Sequence, residues 1–132
     1  MALRILLVED DPHFRDIFST ALEVRGHRVR QTGSARKALE LLRGEQPDII
    51  ISDMEMVGMD GRHLCRHVCA DSEYAGIPFV ILSAHVEADG SDPLAGLPAD
   101  CCLSKQAPFS KLIEQIEKLL IHSGKRRQSG GL

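Results

Sequence analysis

Between Arg4 and Leu120, short runs of Ile, Leu and Val alternate with amphipathic segments, and glycine or proline marks the joins. This alternation reads as a parallel sheet covered by helices, because parallel strands need long crossovers and helices supply them. One run constrains the fold most. Ile49-Ile50-Ile51-Ser52-Asp53 is too continuously apolar for a strand with one wet face, so it predicts a strand at the centre of the sheet.

The other elements follow from their punctuation. A first strand spans Arg4 to Val8, and Asp11-Pro12 supplies an acidic cap and a proline at the first helical position. The helix behind it places Phe14, Ile17, Phe18, Ala21 and Leu22 on its inner face and stops at Gly26. A more polar second strand, His27 to Gln31, suits an edge. Ser34 caps a second helix striped by Ala35, Ala38, Leu39 and Leu42 and closed at Gly44. After the central strand and a Gly-rich turn, Val57 to Gly61, a third helix runs to about Ala70. Pro78 to Ser83 reads as the fourth strand. Gly90, Pro93, Gly96 and Pro98 leave only a short or broken helix between Val86 and Pro98. Asp100 to Ser104 is the fifth strand. Pro108 opens a last helix that buries Leu112, Ile113, Ile116, Leu119 and Leu120 and ends before Gly124. The sum is five βα units, an α/β doubly wound five-stranded parallel sheet, with one domain over 1–122 and a flexible basic, Gly/Ser-containing tail over 123–132.

Composition narrows the classes. At 132 residues the chain can bury one core without disulfides or structural metal. Its net charge of -3 argues against a dedicated nucleic-acid surface, and Lys125, Arg126 and Arg127 are the one basic cluster. No apolar run has the length of a membrane span, and the N-terminus lacks the pattern of a signal peptide, so a cytoplasmic location is expected. Cys65 and Cys69 share an apolar helical stripe with Leu64 and Val68, while Cys101 and Cys102 point to opposite faces of a strand. They read as reduced, buried thiols rather than metal ligands. His63 and His67 read as a solvated helix face, and Met54, Met56 and Met59 as loop packing.

In an open parallel sheet, ligands bind beyond the carboxyl ends of the strands. The first strand ends in Glu9-Asp10-Asp11, the third in Asp53, the fourth in Ser83 and the fifth in Lys105. Carboxylates brought together there repel unless a cation is added. Mg²⁺ matches Asp10 and Asp53 as direct ligands, Glu9 through water, and one backbone carbonyl from the turn after Asp53. A lysine opposite such a metal is the arrangement that neutralises a transferring phosphoryl group. Asp11 reads as the helix cap.

Leu7-Val8-Glu9-Asp10-Asp11, Asp48 through Gly61, Leu82-Ser83-Ala84 and Leu103-Ser104-Lys105 together resemble the receiver domain of two-component response regulators, in order and with that family's spacings. The resemblance implies a flavodoxin-like fold with strand order 2-1-3-4-5. It implies that Asp53 takes a phosphoryl group from a histidine kinase or phosphotransfer protein, catalysing its own phosphorylation and dephosphorylation rather than turning over a separate substrate. Mg²⁺, or Mn²⁺ in its place, would be held by Glu9, Asp10, Asp53 and the Glu55 carbonyl, with Lys105 and Ser83 on the phosphoryl oxygens. Ala84 leaves room for the group, and Glu55 and His85 sit where the family tunes its lifetime. A downstream protein target and a homodimer are the further partners it allows. Val57 replaces the family's proline, Gln106 follows the lysine where proline is usual, and Cys102 replaces the aromatic switch residue. These departures keep an alternative open, a phosphorylation-independent interaction module. A metal-dependent phosphatase is disfavoured, because Glu55 stands where a second aspartate is wanted.

Overall fold

The computed structural model describes residues 2–84 and 97–130, with side chains as far as residue 121. Its elements are β1 (Arg4–Val8), α1 (Pro12–Val24), β2 (Arg28–Thr32), α2 (Ala35–Gly44), β3 (Ile49–Asp53), α3 (Gly61–Ala70), β4 (Phe79–Ser83), β5 (Cys101–Ser104) and α4 (Phe109–Gly130). All strand pairings are parallel, in the order β2-β1-β3-β4-β5. Every residue of β3 is buried, as the isoleucine run requires of a central strand, and the polar β2 lies at an edge.

Side-chain alternation along the strands divides the core in two. Ile5, Leu7, Ile49, Ile51, Val80, Leu82 and Leu103 face α1 and α4, where they meet Phe18, Leu22, Leu112, Ile113 and Ile116. Leu6, Val8, Ile50, Phe79 and Ile81 face α2 and α3, against Ala38, Leu42, Leu64, Cys65 and Val68. Burying such side chains on both faces is the main drive to fold, at about 25 cal/mol for each Å² of apolar surface removed from water. Cys101 and Cys102 pack on opposite sides of the sheet, and none of the four cysteines is in a disulfide; Cys65 is buried as expected, whereas Cys69, Cys101 and Cys102 are half-buried. The Cys65 thiol is held well above its ordinary pKa, first by its hydrogen bond with Cys69 and then by burial, which makes it a poor nucleophile.

The helix starts obey their caps. Asp11 accepts from the His13 N–H at 3.0 Å, Ser34 from the Lys37 N–H at 3.1 Å, and Asp60 from the His63 N–H at 3.0 Å. Gly26 closes α1 with a φ of 96°, the left-handed conformation that glycine adopts without a Cβ penalty.

Three expectations are corrected. Ile17 is 58% exposed, because the buried stripe of α1 is centred between Phe18 and Leu22 and lies ~120° round the helix from it. Strand β2 begins one residue later than His27, whose ring is buried and accepts from the Leu3 N–H at 3.1 Å. Helix α4 continues past Gly124 to Gly130. A single glycine costs a helix only about 1 kcal/mol, and the residues that follow it, Lys125 to Gln128, are good helix formers with no proline among them. The broken helix expected between Val86 and Pro98 lies outside the described residues except for Leu97 and Pro98, which are not helical.

Gly61 opens α3 against the end of β3. Its N–H donates to the Met54 carbonyl at 2.9 Å, and a Cβ at this position would lie 2.0 Å from the Asp53 carbonyl oxygen. Substitution Gly61→Ala is expected to push α3 off the sheet and cost on the order of 2 kcal/mol or more, read as a lowered midpoint in urea unfolding. A midpoint equal to wild type would show that this junction yields freely.

Candidate functional site

Strand register assembles the site. Val8 lies beside Ser52 and Asp53 beside Leu82, so Glu9 and Asp10, the first residues past β1, emerge next to the end of β3. Ser83 lies beside Ser104, and Lys105 follows directly. Alternation does the rest. Glu9 follows Ile5 and Leu7, Asp53 follows Ile49 and Ile51, and Lys105 follows Cys101 and Leu103, all on the side of the sheet that carries α1 and α4.

Backbone and side-chain bonds hold these ends in place. The Glu9 N–H donates to the Thr32 carbonyl at 3.0 Å, and Arg15 Nη1 donates to the Glu9 carbonyl at 2.9 Å. Asp10 Oδ2 accepts from the Val57 N–H at 3.2 Å, which ties the acidic turn after β1 to the loop after β3. The Asp53 carboxylate accepts from the Glu55 N–H. The Lys105 N–H donates to the Ser83 carbonyl at 2.9 Å, and Gln106 Nε2 donates to the Ala84 carbonyl at 3.4 Å. Gly58 takes a φ of 82° in the turn, beside the exposed Val57.

The charged centre is largely sealed from water. Glu9 is fully buried, Asp53 is 7% exposed and the Lys105 side chain 15%. Lys105 Nζ lies 2.9 Å from Glu9 Oε2 and 3.5 Å from Asp53 Oδ2. Burial raises the pKa of both Glu9 and Asp53, and the lysine offsets this only in part. Burial also pulls Lys105 down, but the two carboxylates outweigh it and the ammonium ends above its ordinary value. Glu9 Oε2 is a buried oxygen with no hydrogen-bond partner beyond its ion pair with Lys105.

One carboxylate oxygen each from Glu9, Asp10 and Asp53 lies within 4.8 Å of the others, the one such ligand cluster among the described residues. Three hard oxygen donors, one of them lacking a hydrogen bond inside the protein, fit a small divalent cation such as Mg²⁺. The donors are carboxylates only, which suits Mg²⁺ better than a thiophilic metal.

Of the residues singled out in the sequence, Glu9, Asp10, Asp53, Ser83 and Lys105 all stand at this carboxyl edge of the sheet. Ala84 is exposed just past β4, and the Glu55 side chain is exposed in the loop after β3. Cys102 is half-buried on the α2 and α3 side, one strand position short of the site's face. His85 lies outside the described residues. Asp11 caps α1, and His63 and His67 are exposed on α3. No described peptide bond is cis. Sequence reasoning placed Gly61 in the turn before α3 without its packing against the Asp53 carbonyl, and it overlooked Arg15, whose tie to the Glu9 carbonyl follows no motif.

A profile of the response regulator receiver domain matches residues 5–117. The DNA-binding response regulator MtrA of Mycolicibacterium smegmatis is 35% identical over 109 residues, which cover 83% of this chain and 46% of that protein. The transcriptional regulatory protein AfsQ1 of Streptomyces coelicolor is 34% identical over 93 residues, covering 70% of this chain and 39% of that protein. The chain thus spans half or less of the length of these curated relatives. Among solved structures, the receiver domain of a signal transduction histidine kinase from Syntrophus aciditrophicus superposes with a TM-score of 0.81 at 29% identity, covering 89% of each chain.

The raised carboxyls set a pH dependence. A carboxyl whose folded pKa lies above its unfolded value favours the folded state at low pH, and that contribution is lost as pH rises through the folded value. At neutral pH without metal, Glu9 and Asp53 therefore cost stability. Substitution Asp53→Asn is expected to raise the thermal midpoint of the metal-free protein at pH 7 by a few degrees. The advantage should shrink as pH falls into the carboxylate range. A midpoint for Asp53→Asn below wild type at pH 7 would contradict this account.

Proposed function

The chain belongs to the response regulator receiver domain family of two-component systems, and from that premise we propose that it is a phosphoacceptor whose acceptor is Asp53. The observation that carries this reading is the placing of Asp53, Asp10 and Glu9 around one point with Lys105 Nζ beside them. Mg²⁺ held by Glu9, Asp10, Asp53 and the Glu55 carbonyl would neutralise charge on the transferring phosphoryl group.

The chain's own residues do the rest. An Asp53 carboxylate oxygen attacks the phosphorus of a phosphohistidine on a partner kinase or phosphotransfer protein, or of a small phosphodonor. The P–N bond to the imidazole breaks as the P–O bond forms, and the imidazole leaves carrying a proton. The Glu55 N–H orients the carboxylate by its hydrogen bond. Lys105 turns from Glu9 and Asp53 to a phosphoryl oxygen, which gives the arriving charge a fixed counterion at the moment it is needed. Ser83, buried at the end of β4, donates to another phosphoryl oxygen, and Ala84 leaves space for the group. Water later hydrolyses the acyl phosphate and returns Asp53 to its carboxylate. A small donor such as acetyl phosphate instead loses acetate as its P–O bond breaks, and in either case hydrolysis at Asp53 releases inorganic phosphate.

Phosphorylation adds charge at the ends of β3, β4 and β5, and those ends are joined by the Met54 to Leu82 and Lys105 to Ser83 backbone bonds. A shift there changes the surface seen by a downstream protein. Cys102 stands where the family carries its aromatic switch, so the reading of a phosphorylation-independent interaction module keeps one observation in its favour. The chain's partners are a histidine kinase or phosphotransfer protein and a protein target.

Incubation with Mg²⁺ and acetyl phosphate is expected to add about 80 Da to the chain by intact mass. Chelation of the metal should abolish the adduct, and so should Asp53→Asn. An unmodified wild type under these conditions would sink the phosphoacceptor reading. Wild-type uptake with no change in the amide spectrum of β4 and β5 would instead support the interaction module.

A further inference from the structure

Lys105 has a neighbour that the acidic site leaves unexplained. Its Nζ lies 4.5 Å from the centroid of the Phe14 ring, in the first turn of α1. The negative face of a benzene ring attracts an ammonium, and more strongly where water is thin, as it is round this half-buried side chain. The ring itself is held. Phe109, the first residue of α4, meets it edge-on at 5.6 Å and 86°, and Phe18 lies 5.6 Å away on its other contact. Phe18 and Phe109 touch in turn at 5.1 Å, which closes a three-ring cluster whose deepest member, Phe18, is fully buried. Read from sequence alone, Phe14 is one more residue of the core stripe. In the fold it is half-buried at the rim of the site.

We propose that Phe14 is a positioning residue for Lys105, its ring face holding the ammonium at the acidic site while the carboxylates change partners. This rests on the reading of Asp53 as phosphoacceptor. In the resting site the ammonium has two carboxylate partners, Glu9 Oε2 at 2.9 Å and Asp53 Oδ2 at 3.5 Å. Both must be surrendered when the phosphoryl group arrives, and a long flexible side chain freed from its ion pairs swings towards water. The ring offers an attraction that survives the exchange, because it competes with neither the carboxylates nor the phosphoryl oxygens for their lone pairs. Clamped between Phe18 and Phe109, it costs no ordering of its own at that moment.

The test separates placement from rate. In protein labelled on lysine, the Lys105 ε-protons are expected upfield of those of Lys37 and Lys111 through the ring current, with the shift lost in Phe14→Leu and kept in Phe14→Tyr. With acetyl phosphate and Mg²⁺, the phosphorylation rate of Phe14→Leu should fall about three- to tenfold, and Phe14→Tyr should restore it. Should Phe14→Leu fold poorly, pentafluorophenylalanine at position 14 keeps the ring's shape and inverts its charge distribution, and the same fall is expected. Lys105 ε-protons at ordinary positions in the wild type, or a pentafluorophenylalanine protein phosphorylated at the wild-type rate, would overturn the proposal. A wild type that takes up no phosphoryl group would remove the proposed function, while the ring-current shift still decides where the ammonium lies.

Discussion

Two carboxylates out of water beside one ammonium form the constraint around which this molecule is organised. Glu9 and Asp53 are buried at the ends of neighbouring strands, and Lys105 leaves the cluster with excess negative charge once Asp10 is counted. A buried arrangement of that kind is a poor way to gain stability, since desolvation raises both carboxyls despite the lysine. Under the proposed function, a divalent cation would offset this excess negative charge. The rest of the fold supplies the rigidity that keeps the groups from relaxing apart.

That rigidity has identifiable sources. The three inner strands, β1, β3 and β4, are apolar on both faces, so none can slip by one residue without turning its whole buried set around. Register and alternation together dictate which residue emerges at each strand end and on which side. The loops are then tied to one another rather than left free, Val57 to Asp10, Arg15 to the Glu9 carbonyl, and Gly61 packed without a side chain against the Asp53 carbonyl. Residues that look like ordinary loop or helix positions are therefore part of what fixes the carboxylates at this edge.

Two of the departures from the family pattern, Val57 and Gln106, lie in the loops beside this centre, and the third, Cys102, lies on the other side of the sheet. Val57 lends its N–H to Asp10 and leaves its side chain in solvent, so the missing proline costs the site no bond. Gln106 replaces the usual proline and reaches the Ala84 carbonyl, a link between the loops after β4 and β5 that proline cannot make. Cys102 packs with the α2 and α3 side of the core. Glu9, Asp10, Asp53, Ser83 and Lys105 all remain at the carboxyl edge of the sheet.

Much was legible before any coordinates. Continuous β-branched runs mark covered strands, Asp11 and Ser34 cap helices through chemistry that is local, and Glu9, Asp10, Asp53, Ser83 and Lys105 stand out because polar residues ending apolar runs need a reason to be there. Local rules were weaker where a residue's fate depends on which side of a helix meets the sheet or on how far a helix continues, as Ile17 and the end of α4 demonstrate. What only the tertiary structure decided is distance. That Lys105 Nζ lies closer to Glu9 than to Asp53, that one oxygen of Glu9 is left without a hydrogen bond, that Gly61 admits no Cβ and that Phe14 turns its ring to an ammonium from the far end of the chain are consequences of strand order and register. Sequence records which groups a strand carries to its end, because side-chain alternation is a property of one strand, whereas the angstroms between groups on different strands exist only once the strands have been laid side by side.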